Sequence, residues 1–113
     1  MAKLPNGEYA VVPLEKLTEY ALNTEHPTGR HKARVFKAAL GLTVENAEFL
    51  QMTLQSAAAS LDAVAEDPTV YGDRYVIDFK VTTESGTATI RSAWMIRRDE
   101  DVPRLTTCYV KED

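Results

Sequence analysis

The sequence predicts an α+β fold, with N-terminal helices packed on one face of a C-terminal antiparallel sheet of three to four strands. Three observations predict it. Apolar residues recur at helical spacing through the first half, as in Ala33, Phe36 and Leu40 and again in Ala47, Leu50, Leu54, Ala57, Ala58 and Leu61. Beyond Gly72 the period drops to two, so that Tyr75, Ile77, Phe79 and Val81 alternate with Val76, Asp78, Lys80 and Thr82. The strand-like segments are joined by short polar connections, which suits neighbours that pair in sequence order.

Each element has its own warrant. Glu8 to Val12 reads as a short β-like run or an extended lead-in, and Tyr9 to Val12 could add an edge strand. Pro13 suits the first position of a helix, where a missing N–H costs nothing, and Leu14, Leu17, Tyr20 and Ala21 continue it over residues 13–22. Asn23 to Gly29 holds turn formers and reads as a loop. A second helix runs from Arg30 to Leu40, Gly41 ends it, and Thr43 caps the third and longest. Ala63 to Gly72 is an acidic link, and Ser85-Gly86 marks a tight hairpin turn. Ala88, Ile90, Ser92, Trp94 and Ile96 then share one face of a strand, with Thr89, Arg91, Ala93, Met95 and Arg97 on the other. Arg98 to Pro103 connects it to a last strand, Arg104 to Val110. In that strand either Leu105, Thr107 and Tyr109 face the core, or Thr106 and Cys108 do.

The 113 residues, 44% hydrophobic and 27% charged, have the size and composition of one globular domain, 1–113. The one cysteine, Cys108, has no internal disulfide partner and sits in a strand-like run, where a small buried hydrophobe is expected. The start shows no charged-then-apolar signal pattern, and no apolar run approaches the ~18 residues of a membrane helix. The expectation is a cytoplasmic protein with no membrane role.

Charge is unevenly placed. The chain carries −4, yet His26 to Lys37 holds both histidines with Arg30, Lys32, Arg34 and Lys37 and no acid, which leaves −8 for the rest. Such a patch is an anion-binding footprint, and its imidazoles titrate near neutral pH. Gly29 precedes a helix start, where free N–H groups and the helix dipole favour an anion, and Arg30, His31 and Lys32 add donors there. Arg30, Arg34 and Lys37 fall at i, i+4 and i+7, on the face opposite Phe36. The last two strands concentrate polar groups in Arg91, Ser92, Arg104, Thr106, Thr107 and Tyr109, whereas Trp94 reads as core. There is no phosphate-binding glycine loop, no zinc-type Cys/His spacing and no nucleophile elbow, so neither a cofactor nor a metal site is expected.

Four segments together resemble a known bacterial family, the DUF6883 domain of unknown function. They are Leu17-Thr-Glu-Tyr-Ala-Leu-Asn, His26-Pro-Thr-Gly-Arg-His-Lys-Ala-Arg-Val-Phe, Ser92-Ala-Trp-Met-Ile and Pro103-Arg-Leu-Thr-Thr-Cys-Tyr-Val110, and the resemblance spans nearly the whole chain. Its order of helices then sheet is similar to that of the barnase/EndoU/colicin/RelE-like group of small metal-independent ribonucleases, which includes toxins held in check by antitoxin partners. The resemblance implies a general base or acid in His26 or His31. It implies phosphate contacts from Arg30, Lys32 and Arg91, and orientation of phosphate or sugar by Thr106, Thr107 and Tyr109. Two functions follow as expectations. One is a toxin-type ribonuclease acting on RNA phosphodiesters by 2′-OH transesterification. The other is a non-catalytic module whose basic helix face docks a small acidic or antitoxin-like protein.

Overall fold

The computed structural model describes residues 2–111. Five antiparallel strands stand in sequence order: β1 (Ala2–Lys3), β2 (Asp62–Ala65), β3 (Gly72–Thr83), β4 (Gly86–Arg97) and β5 (Arg104–Val110). The helices α1 (Leu14–Lys16), α2 (Arg30–Leu40) and α3 (Ala47–Ser60) pack against this sheet, so the class is α+β as expected. The sheet is wider than three to four strands. The start of the expected link, Ala63 to Ala65, instead belongs to β2, which pairs Val64 with Val76 and in turn carries β1. Four residues are too few for an alternating pattern to stand out beside acidic neighbours.

The helices end where local chemistry dictates. At the end of α2, Gly41 takes a positive φ of 68°, and its N–H reaches Lys37 O at 2.9 Å. The Thr43 hydroxyl accepts from Glu45 N–H while the Asn46 side chain accepts from Thr43 N–H, a reciprocal cap at the entry to α3. The first helix is less regular than its sequence suggests. After Lys16 it widens into a π-helical turn, Leu17–Ala21, closed by Leu22 N–H on Leu17 O at 2.9 Å. That i→i+5 closure lets Leu17, Ala21 and Leu22 all enter the core.

Upstream of α1, Gly7–Tyr9 is a 3₁₀ turn rather than strand. Of the expected run Glu8 to Val12, only Val11 joins the sheet, bridging Arg104 in parallel, with Val11 N–H on Pro103 O at 2.9 Å and Leu105 N–H on Val11 O at 3.0 Å. The outer edge of β5 is therefore covered at its beginning. The hairpin turn lies one position earlier than expected: Thr83 pairs with Gly86, so Glu84 and Ser85 form its loop.

The core lies between the helices and one sheet face, where Phe36, Leu50 and Leu54 meet Ile77, Ile90 and Trp94. Trp94 is core, as expected. Ser92 is fully buried beside it. Its hydroxyl donates to Ile77 O and accepts from Trp94 Nε1, both at 2.9 Å. Strand β5 follows neither simple alternation. Ala93 pairs with Thr107 and Trp94 with Leu105, so Thr106 is the extra residue of a β-bulge. Leu105 and Cys108 consequently both face the core and are almost fully buried.

Candidate functional site

The loop before α2 is held by His26 itself. Its Nδ1 accepts from Thr28 N–H at 3.0 Å and Gly29 N–H at 2.9 Å, and lies 3.1 Å from the Thr28 hydroxyl. Arg30 N–H bonds to His26 O at 3.0 Å. The ring thus caps a single turn, residues 26–30, that leads into α2, whose own N-cap position is Gly29. Two N–H donors on Nδ1 place the ring proton on Nε2, so the acceptor nitrogen a general base needs is already occupied. The ring also packs edge-on against Tyr20, with centroids 4.7 Å apart. Gly29 is buried, and a Cβ there would meet Tyr20 O at 2.9 Å. Its N–H is spent on His26. The Gly29 and Arg30 N–H groups are thus spent on His26 within the turn, and Gly29 also serves close packing.

One turn further on, α2 meets the last strand. Lys32 Nζ sits 4.7 Å from the centroid of the Tyr109 ring, a cation–π contact. His31 and Lys32 line a shallow cleft of about 210 Å³ with Tyr109 and Val110. Cross-strand pairing sets Arg91 beside Tyr109 on one side and Asp78 on the other. Asp78 takes both arms of the Arg91 fork at 2.9 Å, and Lys111 Nζ lies 3.6 Å from the same carboxylate. The hydrogen bond from Arg91 holds Asp78 below its ordinary range, against a smaller opposing effect of burial. Arg91 is correspondingly held above its own range, by Asp78 first and Tyr109 second. The first turn of α2 meets the last strand through His31, Lys32 and Tyr109, while Arg91 reaches Tyr109 across the strand pair and lines a separate cleft with Asp78, Val64 and Val76.

A second cleft, also about 210 Å³, flanks β5 on its Leu105–Cys108 side. Leu17, Ala21 and Leu105 make its apolar part, and Tyr20, Thr106 and Thr107 its polar part. Thr106 is exposed, whereas the Thr107 Oγ1 is buried and has no hydrogen-bond partner among the described residues. Such an orphaned hydroxyl costs free energy in the empty protein.

Two further expected site residues are committed elsewhere, and Cys108 is buried as expected. Ser92 has no surface to offer a ligand, because its hydroxyl is spent inside the core. Arg104 forks onto Glu100 at 2.8 and 3.0 Å. The Cys108 thiol is pushed up to about 12 by burial, only partly opposed by nearby Lys32, which makes it a poor nucleophile. Arg30, Arg34 and Lys37 are exposed and form no ion pair among the described residues. Tyr20 and Asp78 were not anticipated. Counting back from the observed Glu84-Ser85 turn pairs Asp78 with Arg91, whereas the expected Ser85-Gly86 turn would pair it with Ala93; no local pattern marks Tyr20. No group of three or more His, Cys, Asp or Glu placed to hold a metal ion occurs among the described residues, and none of their helices is long and apolar enough to cross a membrane.

Comparison with known proteins agrees with the segments along the chain. A search of curated proteins and a search of solved structures each returned no match. A family model described as a domain of unknown function, DUF6883, matches residues 3–112. That match takes in the capped loop, the basic helix and the bulged last strand alike, and the chain belongs to the DUF6883 family.

Proposed function

We propose that this domain is a small metal-independent ribonuclease whose reacting centre lies where the first turn of α2 meets β5. The observation that carries the reading is the seating of Lys32 over Tyr109, with His31 lining the same cleft and Arg91 on the adjacent strand. An imidazole, an ammonium and a guanidinium gathered on the surface of an otherwise acidic chain suit a phosphodiester.

His31 takes the proton of a ribose 2′-OH. The 2′-oxygen bonds to phosphorus and the P–O5′ bond breaks, leaving a 2′,3′-cyclic phosphate. The departing 5′-oxygen takes its proton from solvent at this open site, and the imidazolium returns one to solvent. Lys32 and Arg91 stabilise the extra negative charge on phosphorus, and the Tyr109 hydroxyl orients the phosphate. Arg91 turns toward the phosphate from a pair with Asp78 that is partly open to water.

The test is incubation of the folded protein with RNA in excess EDTA. The expected result is cleavage ending in cyclic phosphates, reduced at least 100-fold in His31→Ala and Lys32→Ala variants that remain folded. A well-folded protein that leaves single-stranded RNA and tRNA intact refutes the reading.

The row of Arg30, Arg34 and Lys37 supports a second reading, a protein-interaction face for an acidic partner. Charge reversal at Arg34 and Lys37 would then abolish capture of that partner, while His31→Ala would not.

A further inference from the structure

Three irregularities meet at the cleft between the π-helical turn and β5. A regular α-helix is interrupted at Leu17–Ala21, β5 carries an extra residue at Thr106, and the Thr107 Oγ1 is buried without a partner. Each is locally unfavourable. A π-turn, a bulge and an unsatisfied hydroxyl all recur where a fold has been shaped for a ligand. Here they border one cavity of about 210 Å³.

The chemistry of the walls narrows the ligand. Leu17, Ala21 and Leu105 offer an apolar surface, Tyr20 an aromatic ring, and Thr106 and Thr107 hydroxyls, with Lys16 the one charged residue of the lining. That suits a small flat body with hydrogen-bonding groups along its rim. The space is below the ~300 Å³ at which pockets for drug-sized ligands begin. Thr107 stands two residues before Tyr109 on the same strand, a separation of about 7 Å. A phosphate and its own nucleobase are separated on a similar scale.

We infer that this cleft is a nucleobase subsite, receiving one base of the strand whose phosphate lies at His31, Lys32 and Tyr109, with the Thr107 hydroxyl bonding to the rim of that base. The choice of a nucleobase rests on the ribonuclease reading. Filling the cleft satisfies the orphaned hydroxyl, so the cost carried by the empty protein becomes selectivity for the occupant.

The experiment titrates the four ribonucleoside 5′-monophosphates into isotopically labelled protein, with inorganic phosphate as the control. The expected result is that at least one nucleotide shifts the amide signals of Tyr20, Thr106, Thr107 and Cys108, and that inorganic phosphate does not. Thr107→Val should weaken that nucleotide about tenfold and Thr107→Ser should restore it, the denaturation midpoint of the valine variant being unchanged or higher. Absence of any shift at millimolar nucleotide, equal shifts from inorganic phosphate, or unaltered binding in Thr107→Val would each overturn the subsite. RNA cleavage is measured in parallel on the same preparations. Binding without cleavage supports the subsite and refutes the ribonuclease reading, whereas cleavage without nucleotide binding refutes the subsite alone.

Discussion

Replacing His26 with alanine separates two roles that one imidazole could have. The ring caps the turn that leads into α2, so its loss should cost stability first. Three contacts disappear: Thr28 N–H at 3.0 Å, Gly29 N–H at 2.9 Å and the Thr28 hydroxyl at 3.1 Å. Thr28 is exposed, and water can replace the ring there. Gly29 is buried, and its N–H would be left without a partner. Loss of a cap costs about 1 kcal/mol, and an unsatisfied buried donor adds about 1 kcal/mol more. A total near 2 kcal/mol lowers the melting temperature of a domain this size by roughly 8 °C. His26→Asn should recover most of it, because a shorter side-chain oxygen can accept from the same two donors. Urea denaturation followed by Trp94 fluorescence measures the stability of each variant. RNA cleavage, expressed per folded molecule, should stay within a few-fold of the parent in both. An alanine variant within ~0.5 kcal/mol of the parent that has nonetheless lost all cleavage would refute the capping argument and return His26 to the chemistry.

Other expectations follow from the same geometry. Ser92→Ala leaves the Trp94 Nε1–H unpaired in the core and should cost about 2 kcal/mol by denaturation; Ser92→Ala combined with Trp94→Phe should cost less than the sum of the two single changes. The Cys108 thiol is raised from 9.0 to about 12, so it ionises in the unfolded chain before the folded one. Its contribution is intact below pH 9 and fades as pH rises toward 12, by about 2 kcal/mol at pH 10.5, and the midpoints of the parent and Cys108→Ala should converge accordingly. Asp78 is lowered, so its pair with Arg91 stabilises the fold above pH 3.8 and the effect is lost as pH falls below that value. Because the pair is partly exposed, Asp78→Asn should remove less than ~1 kcal/mol at pH 7, a difference that should vanish in acid. Arg34→Gln with Lys37→Gln should raise KM for RNA without changing kcat, and should flatten the log–log salt dependence of RNA binding by about 1.4.

Where each element was legible, a local rule sufficed. Gly41 stops α2 because it alone takes a positive φ without strain, and Thr43 caps α3 through a side chain suited to that task. Strand β2 carries almost no periodic signal, because it has four residues and runs straight into Glu66 and Asp67. The bulge at Thr106 was hidden for a different reason. Alternation offers two faces, and an inserted residue lets Leu105 and Cys108 share one of them. At the site, the basic helix and the polar last strand were visible as composition, and their meeting at Lys32 and Tyr109 required tertiary structure. Histidine in a basic loop suggests proton transfer, whereas the use of His26 to cap the turn before α2 depends on where Thr28 and Gly29 point their amides.

Strands that neighbour one another in space here also neighbour one another along the chain, with one exception. From β2 to β5 each new pairing closes only a short loop, so assembly can proceed by zipping outward from the β3–β4 hairpin. The exception is β1, where residue 2 must find residue 63 across the whole helical half of the molecule. That closure should come late, and pulse-labelled hydrogen exchange should find Ala63 protected after Ile77. Because neither cleft is lined by β1, trimming that strand would slow the final step of folding while sparing both clefts.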